Sequence, residues 1–171
     1  LAGLEPIGLS PMRRTAMVVD VPAAASSLAP GVSDWPMTRD IDEQFYLKPE
    51  SGALLLSPAD ETPMPPQDIQ PDELDIAICA DRIEKAFDLK VQSIKRKWAG
   101  LRTFAPDRSP VVGFEPGMGN FFWLAGQGGY GYQTAPALAR LSSALLRGDD
   151  IPEDIQYLGI TQNRLSPARF W

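Results

Sequence analysis

Several arginines in this chain have settings able to do chemistry. Arg13, Arg14 and Arg102 lie in apolar, strand-like runs. A guanidinium presents a planar fork of donors that matches a carboxylate, so an arginine held in such a run needs an acid. For Arg102, which follows Trp98-Ala99-Gly100-Leu101, that acid is either a ligand carboxylate or one of the 22 aspartates and glutamates of the chain. Arg13 and Arg14 are consecutive, so on one strand they face opposite sides. One is expected to be solvated and the other to point toward the core or a cleft. Tyr46 offers its hydroxyl to a ligand or simply packs within a sheet.

A second constellation is Gly126-Gln127-Gly128-Gly129-Tyr130-Gly131, between an apolar strand and a helix. Glycines let main-chain N–H groups come close and take positive φ. The helix start adds donors and a partial positive charge. Such a place suits a phosphate or the electron-rich edge of a reduced flavin, or it is a tight connection with no ligand. Its spacing is read as distinct from the Rossmann fingerprint, and no Walker lysine follows.

Other chemistries are excluded by composition. The chain has no histidine and a single cysteine, Cys79. Ser-His-Asp and Cys-His catalysis, an intramolecular disulfide and a zinc or copper site of the usual kind are therefore absent from these 171 residues. Cys79 stands in Ile76-Ala77-Ile78-Cys79-Ala80 and reads as a buried, inert thiol. A net charge of −6 argues against nucleic acid or an anionic membrane surface as partner. No apolar run reaches the roughly 18 residues that span a bilayer. No signal-peptide pattern is present.

The elements that must position these groups follow from periodicity. Residues 12–20 read as a strand and 21–36 as a loop. Residues 44–48 and 53–57 read as a hairpin around Pro49-Glu50-Ser51-Gly52, followed by a proline-rich loop over 58–70. Pro71-Asp72-Glu73 opens a helix, with proline in its first turn. Leu74, Ile76, Ala77, Ile78, Cys79, Ile83, Ala86 and Phe87 form its apolar stripe, and it ends near Asp88. Residues 91–104 read as one long strand or two short ones, turning near Gly100. Residues 106–110 form a turn. Strands over 111–114 and 120–125 are joined by Gly117-Met118-Gly119. A helix from about Thr134 to Arg147 stops at Gly148. The polar tail, 149–171, is expected to wrap the surface or to be partly disordered.

Two segments carry a family resemblance. Trp98-Ala99-Gly100-Leu101-Arg102-Thr103-Phe104-Ala105-Pro106-Asp107, with Pro110-Val111-Val112-Gly113, resembles the C-terminal signature of the glycine oxidase and D-amino-acid oxidase superfamily. So does Ala125 through Pro136, in the same order and spacing. Further segments, Pro6-Ile7-Gly8-Leu9, Arg13-Arg14, Asp34-Trp35-Pro36-Met37, Phe45-Tyr46-Leu47-Lys48-Pro49 and Asp75-Ile76-Ala77, resemble the bacterial D-arginine dehydrogenases.

The resemblance implies an α+β fold. A mixed or antiparallel substrate-binding sheet over residues 1–98 is followed by a strand-loop-helix piece of a Rossmann-like FAD domain over 99–148, with 149–171 as tail. It implies FAD as cofactor and oxidative deamination of D-amino acids, including D-arginine- or D-lysine-like ones, to 2-oxo acids and ammonia, with hydride passing from Cα to flavin N5. It implies Arg14, Arg102 and Tyr46 at the substrate carboxylate, Gly100 with its carbonyl toward the amine, Met37 on the pocket wall and Glu43 near the side chain. Gly128, Gly129, Tyr130, Gly131, Tyr132 and Gln133 would meet the flavin. No catalytic residue and no metal ligand is singled out.

Arg39 departs from the family, standing where a small apolar wall residue is expected, and Tyr132 replaces an aliphatic one. The resemblance covers a C-terminal half, so the missing N-terminal FAD-binding half of a longer protein is expected as partner, and this chain alone is expected to bind FAD poorly or not at all. The electron acceptor is left open, and the expected location is cytoplasmic or peripheral at the inner face of a bacterial membrane. Two rival readings stand beside it: an oxidase of D-amino acids or of glycine and sarcosine that uses O₂, or a non-catalytic piece.

Overall fold

The computed structural model of the chain describes residues 3–21, 31–87 and 89–171. They form two compact units, residues 12–101 and residues 1–11 together with 102–171. Much of the loop expected over 21–36, and Asp88 at the expected helix end, lie outside the described residues.

The unit of residues 12–101 is built on a sheet. Its strands are β1 (Ser10–Val19), β2 (Thr38–Arg39), β3 (Tyr46–Glu50), β4 (Ala53–Ser57), β5 (Thr62–Pro63) and β6 (Ile94–Phe104). The order is β2-β3-β4-β1-β5, with β6 also paired to β1. The pairings among β1 to β5 are antiparallel. The expected hairpin β3–β4 forms, but it turns at Ser51-Gly52 alone, because Pro49 and Glu50, expected in the turn, pair with Leu54 and Ala53. β6 runs unbroken through Gly100, so the expected turn there is absent.

Helix α1 (Glu73–Ala86) covers one face of this sheet. Asp72, not proline, begins it: the Asp72 carboxylate accepts the Leu74 N–H at 2.9 Å, which needs the extended backbone of an N-cap. Pro71 therefore precedes the cap. Of the expected stripe, Ile76, Cys79 and Ile83 are buried, at the spacing of one helical face. Leu74 is 66% exposed, because two residues ahead of Ile76 is more than half a turn around the helix. Ala77 and Ala86 are exposed too.

The buried stripe packs on Met17, Val19, Leu47, Leu54 and Leu56, all from one side of the sheet. Met17, Leu56 and Leu47 form a continuous cross-strand row. Each such side chain contributes about 1.5–3 kcal/mol by leaving water.

The ladder along β1 is interrupted once. Met17 pairs with Leu56, but Arg13 pairs with Thr62, so the register advances by two residues between them. Side chains repair the gap. Ser57 Oγ donates to the Thr15 carbonyl at 2.6 Å. Asp60 accepts from the Thr15 N–H at 2.6 Å and from its hydroxyl at 2.9 Å. Thr15 is fully buried, and these bonds satisfy both its main-chain groups.

In the second unit, β7 (Val111–Glu115) and β8 (Met118–Ala125) form an antiparallel hairpin. Its turn is Pro116-Gly117, so Met118 and Gly119, expected in the loop, belong to the strand. One side of the hairpin packs through Val112 and Phe122 on Leu138 and Leu141 of helix α2 (Gly131–Arg147). The other packs through Val111 and Trp123 on Ile7, Leu9 and Phe170.

The tail is ordered rather than loose. It forms α3 (Glu153–Tyr157), α4 (Gln162–Leu165) and a 3-10 turn over Pro167–Phe170. Ile155 is buried against α2, with Ile151, Ile160 and Leu165 around it. Arg169 ties the end down. It bonds both oxygens of Asp107 and the carbonyls of Leu165, Ser166, Ser109 and Pro110. The apolar residues of the tail, Ile151, Ile155, Ile160, Leu165 and Phe170 among them, follow no single helical or strand period, which hid this role.

Candidate functional site

Arg13 and Arg14 were each expected to find a different environment, one of them solvent. Neither is solvated. Arg13 is 11% exposed and pairs with Asp60 at 3.3 Å, Asp72 at 3.6 Å and Asp75, all on the α1 side. Arg14 is 13% exposed and donates from Nη2 to Glu61 Oε1 at 2.8 Å. The acids that follow β4 and open α1 cover the arginine pair from both sides, which local sequence around the arginines does not disclose.

Alternation along the strands sorts the remaining candidates. The odd residues of β1 face α1, so Arg14 points to the opposite sheet face. Leu47 and Leu56 also face α1, so Tyr46 points away from it, as does Arg39, its partner across β2–β3. Tyr46 stands opposite Ser57. Ser57 is level with Ala16, two residues from Arg14 on that same face. Strand spacing puts β3 and β1 roughly 10 Å apart, within reach of two long side chains. Arg14, Arg39 and Tyr46 thus share a face.

Glu43 lies in the turn before β3 with φ of 57° and is paired with Arg39. Met37 precedes β2 and is exposed. Gly100 is exposed near the end of β6.

The second unit brings Arg102 to the glycine turn. The Gly128 N–H donates to the Thr103 carbonyl at 2.9 Å, and Phe104 bridges to Gln127. At Gly128, φ is 53° and a Cβ would fall inside the Phe104 ring contact. At Gly129 a Cβ would stand 2.6 Å from Arg102 Nη1. These two glycines therefore admit Phe104 and Arg102 from the protein side, a use of glycine beyond exposing backbone to a ligand. Arg102 is half-buried and has no carboxylate partner among the described residues. Of the two acids its sequence allowed, the internal one is not supplied by them.

Helix α2 begins at Gly131, three residues before the expected Thr134. The Thr134 hydroxyl does not cap it but donates back to the Tyr130 carbonyl at 2.8 Å. The first-turn N–H groups of Gly131, Tyr132 and Gln133 accordingly have no acceptor within the helix and carry its positive end. Tyr132 is 99% exposed beside them. By letter, Gly126, Gly128 and Gly131 do stand at Gly-x-Gly-x-x-Gly spacing, contrary to the reading from sequence. Topology sets the turn apart instead. β8 is the second arm of an antiparallel hairpin, and no strand follows α2 among the described residues, so no βαβ unit is formed here. A set of helix N-terminal donors beside a cation fits the electron-rich edge of a flavin ring.

Glu61 and Asp60 escaped the sequence reading, which placed them in a proline-rich loop. No local signal singles them out, since Asp42-Glu43, Asp72-Glu73, Asp149-Asp150 and Glu153-Asp154 are consecutive acidic pairs too. Among the described residues no group of histidine, cysteine or acidic side chains is arranged to hold a metal, and no helix is long and apolar enough to cross a membrane.

Fold and turn together fit the class of flavin-dependent oxidoreductases. A family model described as DAO, FAD dependent oxidoreductase, matches residues 1–145, and the chain belongs to that family, whose members are FAD-binding flavoenzymes. Solved structures agree on the mixed fold with antiparallel sheets. L-proline dehydrogenase from P. horikoshii matches with a TM-score of 0.72 at 22% identity, over 96% of this chain and 41% of its own. Glycine oxidase from Geobacillus kaustophilus matches at 0.71 and 18%, over 96% and 40%. L-amino acid deaminase from Proteus vulgaris matches at 0.68 and 16%, over 96% and 38%. The chain thus spans about two fifths of the length of these structures.

Proposed function

We propose that this chain supplies the substrate-carboxylate and flavin-edge groups of an FAD-dependent enzyme that oxidises amino acids, D-amino acids in particular, to 2-oxo acids and ammonia. The observation that carries the reading is Arg102: a half-buried guanidinium lying against Gly129, with no internal acid among the described residues, beside the open donors of α2. Such a cation suits a ligand carboxylate.

Arg14 and Tyr46, on one sheet face, are carboxylate anchors in this reading, and Gly100 accepts from the substrate amine. Holding the carboxylate fixes Cα in place, which supplies the orientation the reaction needs. The N–H groups of Gly131, Tyr132 and Gln133 stabilise negative charge at the ring edge, and Gly128, Gly129 and Tyr130 shape the approach. FAD, when bound, would supply the acceptor for the hydride that leaves the substrate Cα. The imino acid released is hydrolysed by water.

Substrate preference follows from Arg39. It shares the face of Tyr46 and is paired with Glu43, so the acid that would attract a cationic side chain is already neutralised. The preferred amino acids are therefore neutral ones, with Met37 as apolar wall, rather than D-arginine or D-lysine. The electron acceptor, O₂ or another, is read out by peroxide release.

The test is anaerobic reduction of the flavin in the complete FAD-loaded protein by D- and L-amino acids. D-amino acids with neutral side chains are expected to bleach the flavin, and Arg102→Met is expected to lower kcat/KM roughly a hundredfold by loss of a charged pair. Unchanged turnover in that variant, or no bleaching by any amino acid, overturns the reading. These 171 residues by themselves are expected to bind FAD weakly, since no βαβ unit is present among the described ones. Stoichiometric binding in a flavin absorbance titration would contradict that.

A further inference from the structure

The acid opposite Arg14 has a consequence for how that arginine binds anything else. After the interruption in the ladder, Arg13 pairs with Thr62, and the same register extended by one residue sets Glu61 opposite Arg14. Their side chains meet at 2.8 Å between Nη2 and Oε1, with Arg14 13% and Glu61 31% exposed. Asp60, one residue earlier, is bound to Thr15 and Arg13 on the other side of the sheet. The backbone that carries Glu61 is thereby clamped, and Glu61 is held to the face that carries Arg14, Arg39 and Tyr46. The pair is built by the fold, not by two mobile surface side chains meeting.

We infer that Glu61 is a positioning residue for the substrate carboxylate, setting its affinity through Arg14; this rests on the assignment of Arg14 as a carboxylate anchor. Glu61 does two opposed things. Its hydrogen bond fixes the guanidinium on the sheet face, which favours binding of an incoming carboxylate. Its negative charge, one guanidinium away from that carboxylate, repels it and already compensates part of the Arg14 charge. The balance weakens substrate binding without touching the bond that breaks, so it acts on KM and leaves kcat alone.

Glu61→Gln separates the two effects, because the amide oxygen still accepts from Nη2 while the charge is gone. In the complete FAD-loaded protein, E61Q is expected to lower KM for a neutral D-amino acid roughly two- to fivefold, the range set by a partly exposed ion pair, with kcat unchanged. Calorimetric titration of acetate, a carboxylate with no reacting bond, is expected to show the same gain in affinity. Glu61→Ala loses the positioning bond as well and is expected to bind acetate more weakly than E61Q. Arg14→Met provides the separating control. If R14M leaves KM and acetate affinity unmoved, the assignment of Arg14 fails. If R14M weakens binding but E61Q leaves KM and acetate affinity unchanged or poorer, Arg14 stands and the role of Glu61 is overturned.

Discussion

A single methyl group distinguishes two uses of glycine at neighbouring positions. Gly128 has φ of 53°, and its missing Cβ is replaced by the Phe104 ring, a rigid group closed in by the strand end. Gly128→Ala is expected to destabilise the protein by about 2 kcal/mol or more, from strained backbone and overpacking together, visible as a lower thermal midpoint. Gly129 has no such φ, and its Cβ would meet the far end of the flexible Arg102 side chain. Gly129→Ala is therefore expected to keep the thermal midpoint within a few degrees and to raise KM for amino acids instead, because the guanidinium must move. A G129A variant that unfolds like G128A would show that Arg102 is locked there for stability rather than for binding.

At the level of elements, the interrupted ladder of β1 and the buried face of α1 each make a prediction. Asp60 bonds the Thr15 main chain and hydroxyl and pairs with Arg13. Asp60→Ala leaves a buried N–H and a nearly buried guanidinium short of an acceptor, at an expected cost of about 2–4 kcal/mol in denaturant unfolding. Asp60→Asn keeps an acceptor and is expected to cost less. Cys79, at the centre of the α1 stripe, has its thiol pushed up to about 12 by burial. It is expected to resist iodoacetamide at neutral pH in the folded protein and to react once the protein is unfolded. Rapid labelling of the native protein would mean that α1 leaves the sheet readily.

For the molecule as a whole, the tail is expected to contribute to the stability of the unit made by residues 1–11 and 102–171. Arg169 joins the last turn to the 106–110 turn, and its guanidinium holds the Asp107 carboxyl below the ordinary aspartate range. A carboxylate whose folded value is depressed adds stability that is complete above its unfolded value, near pH 4, and lost as pH falls through the folded one. The difference in urea midpoint between the parent and Asp107→Asn is therefore expected at neutral pH and to vanish in acid below that window. Arg169→Ala, which also strips four carbonyls of a donor, is expected to be the more damaging change, by about 2 kcal/mol or more. If removing the Arg169 side chain leaves unfolding unchanged, the tail is an ornament on that unit and not part of its core.

What the sequence determined alone is what depends on neighbours along the chain. Alternation defined β1 and the β3–β4 hairpin. The buried thiol followed from its apolar surroundings, and two motifs in fixed order carried the family. It also put the glycine turn between a strand and a helix, since those three are contiguous, whereas Arg102 reaches that turn across the β7–β8 hairpin through the Gly128–Thr103 hydrogen bond. What tertiary structure decided are the pairings across long separations. Arg14 meets Glu61 and Arg13 meets Asp60, Asp72 and Asp75, while Arg169 meets Asp107. Charge is not periodic, and any of the 22 acids could answer any arginine. The register of a folded sheet, advanced by two residues at one point, sets Glu61 opposite Arg14, while the packing of α1 and of the tail selects the acids at Arg13 and Arg169.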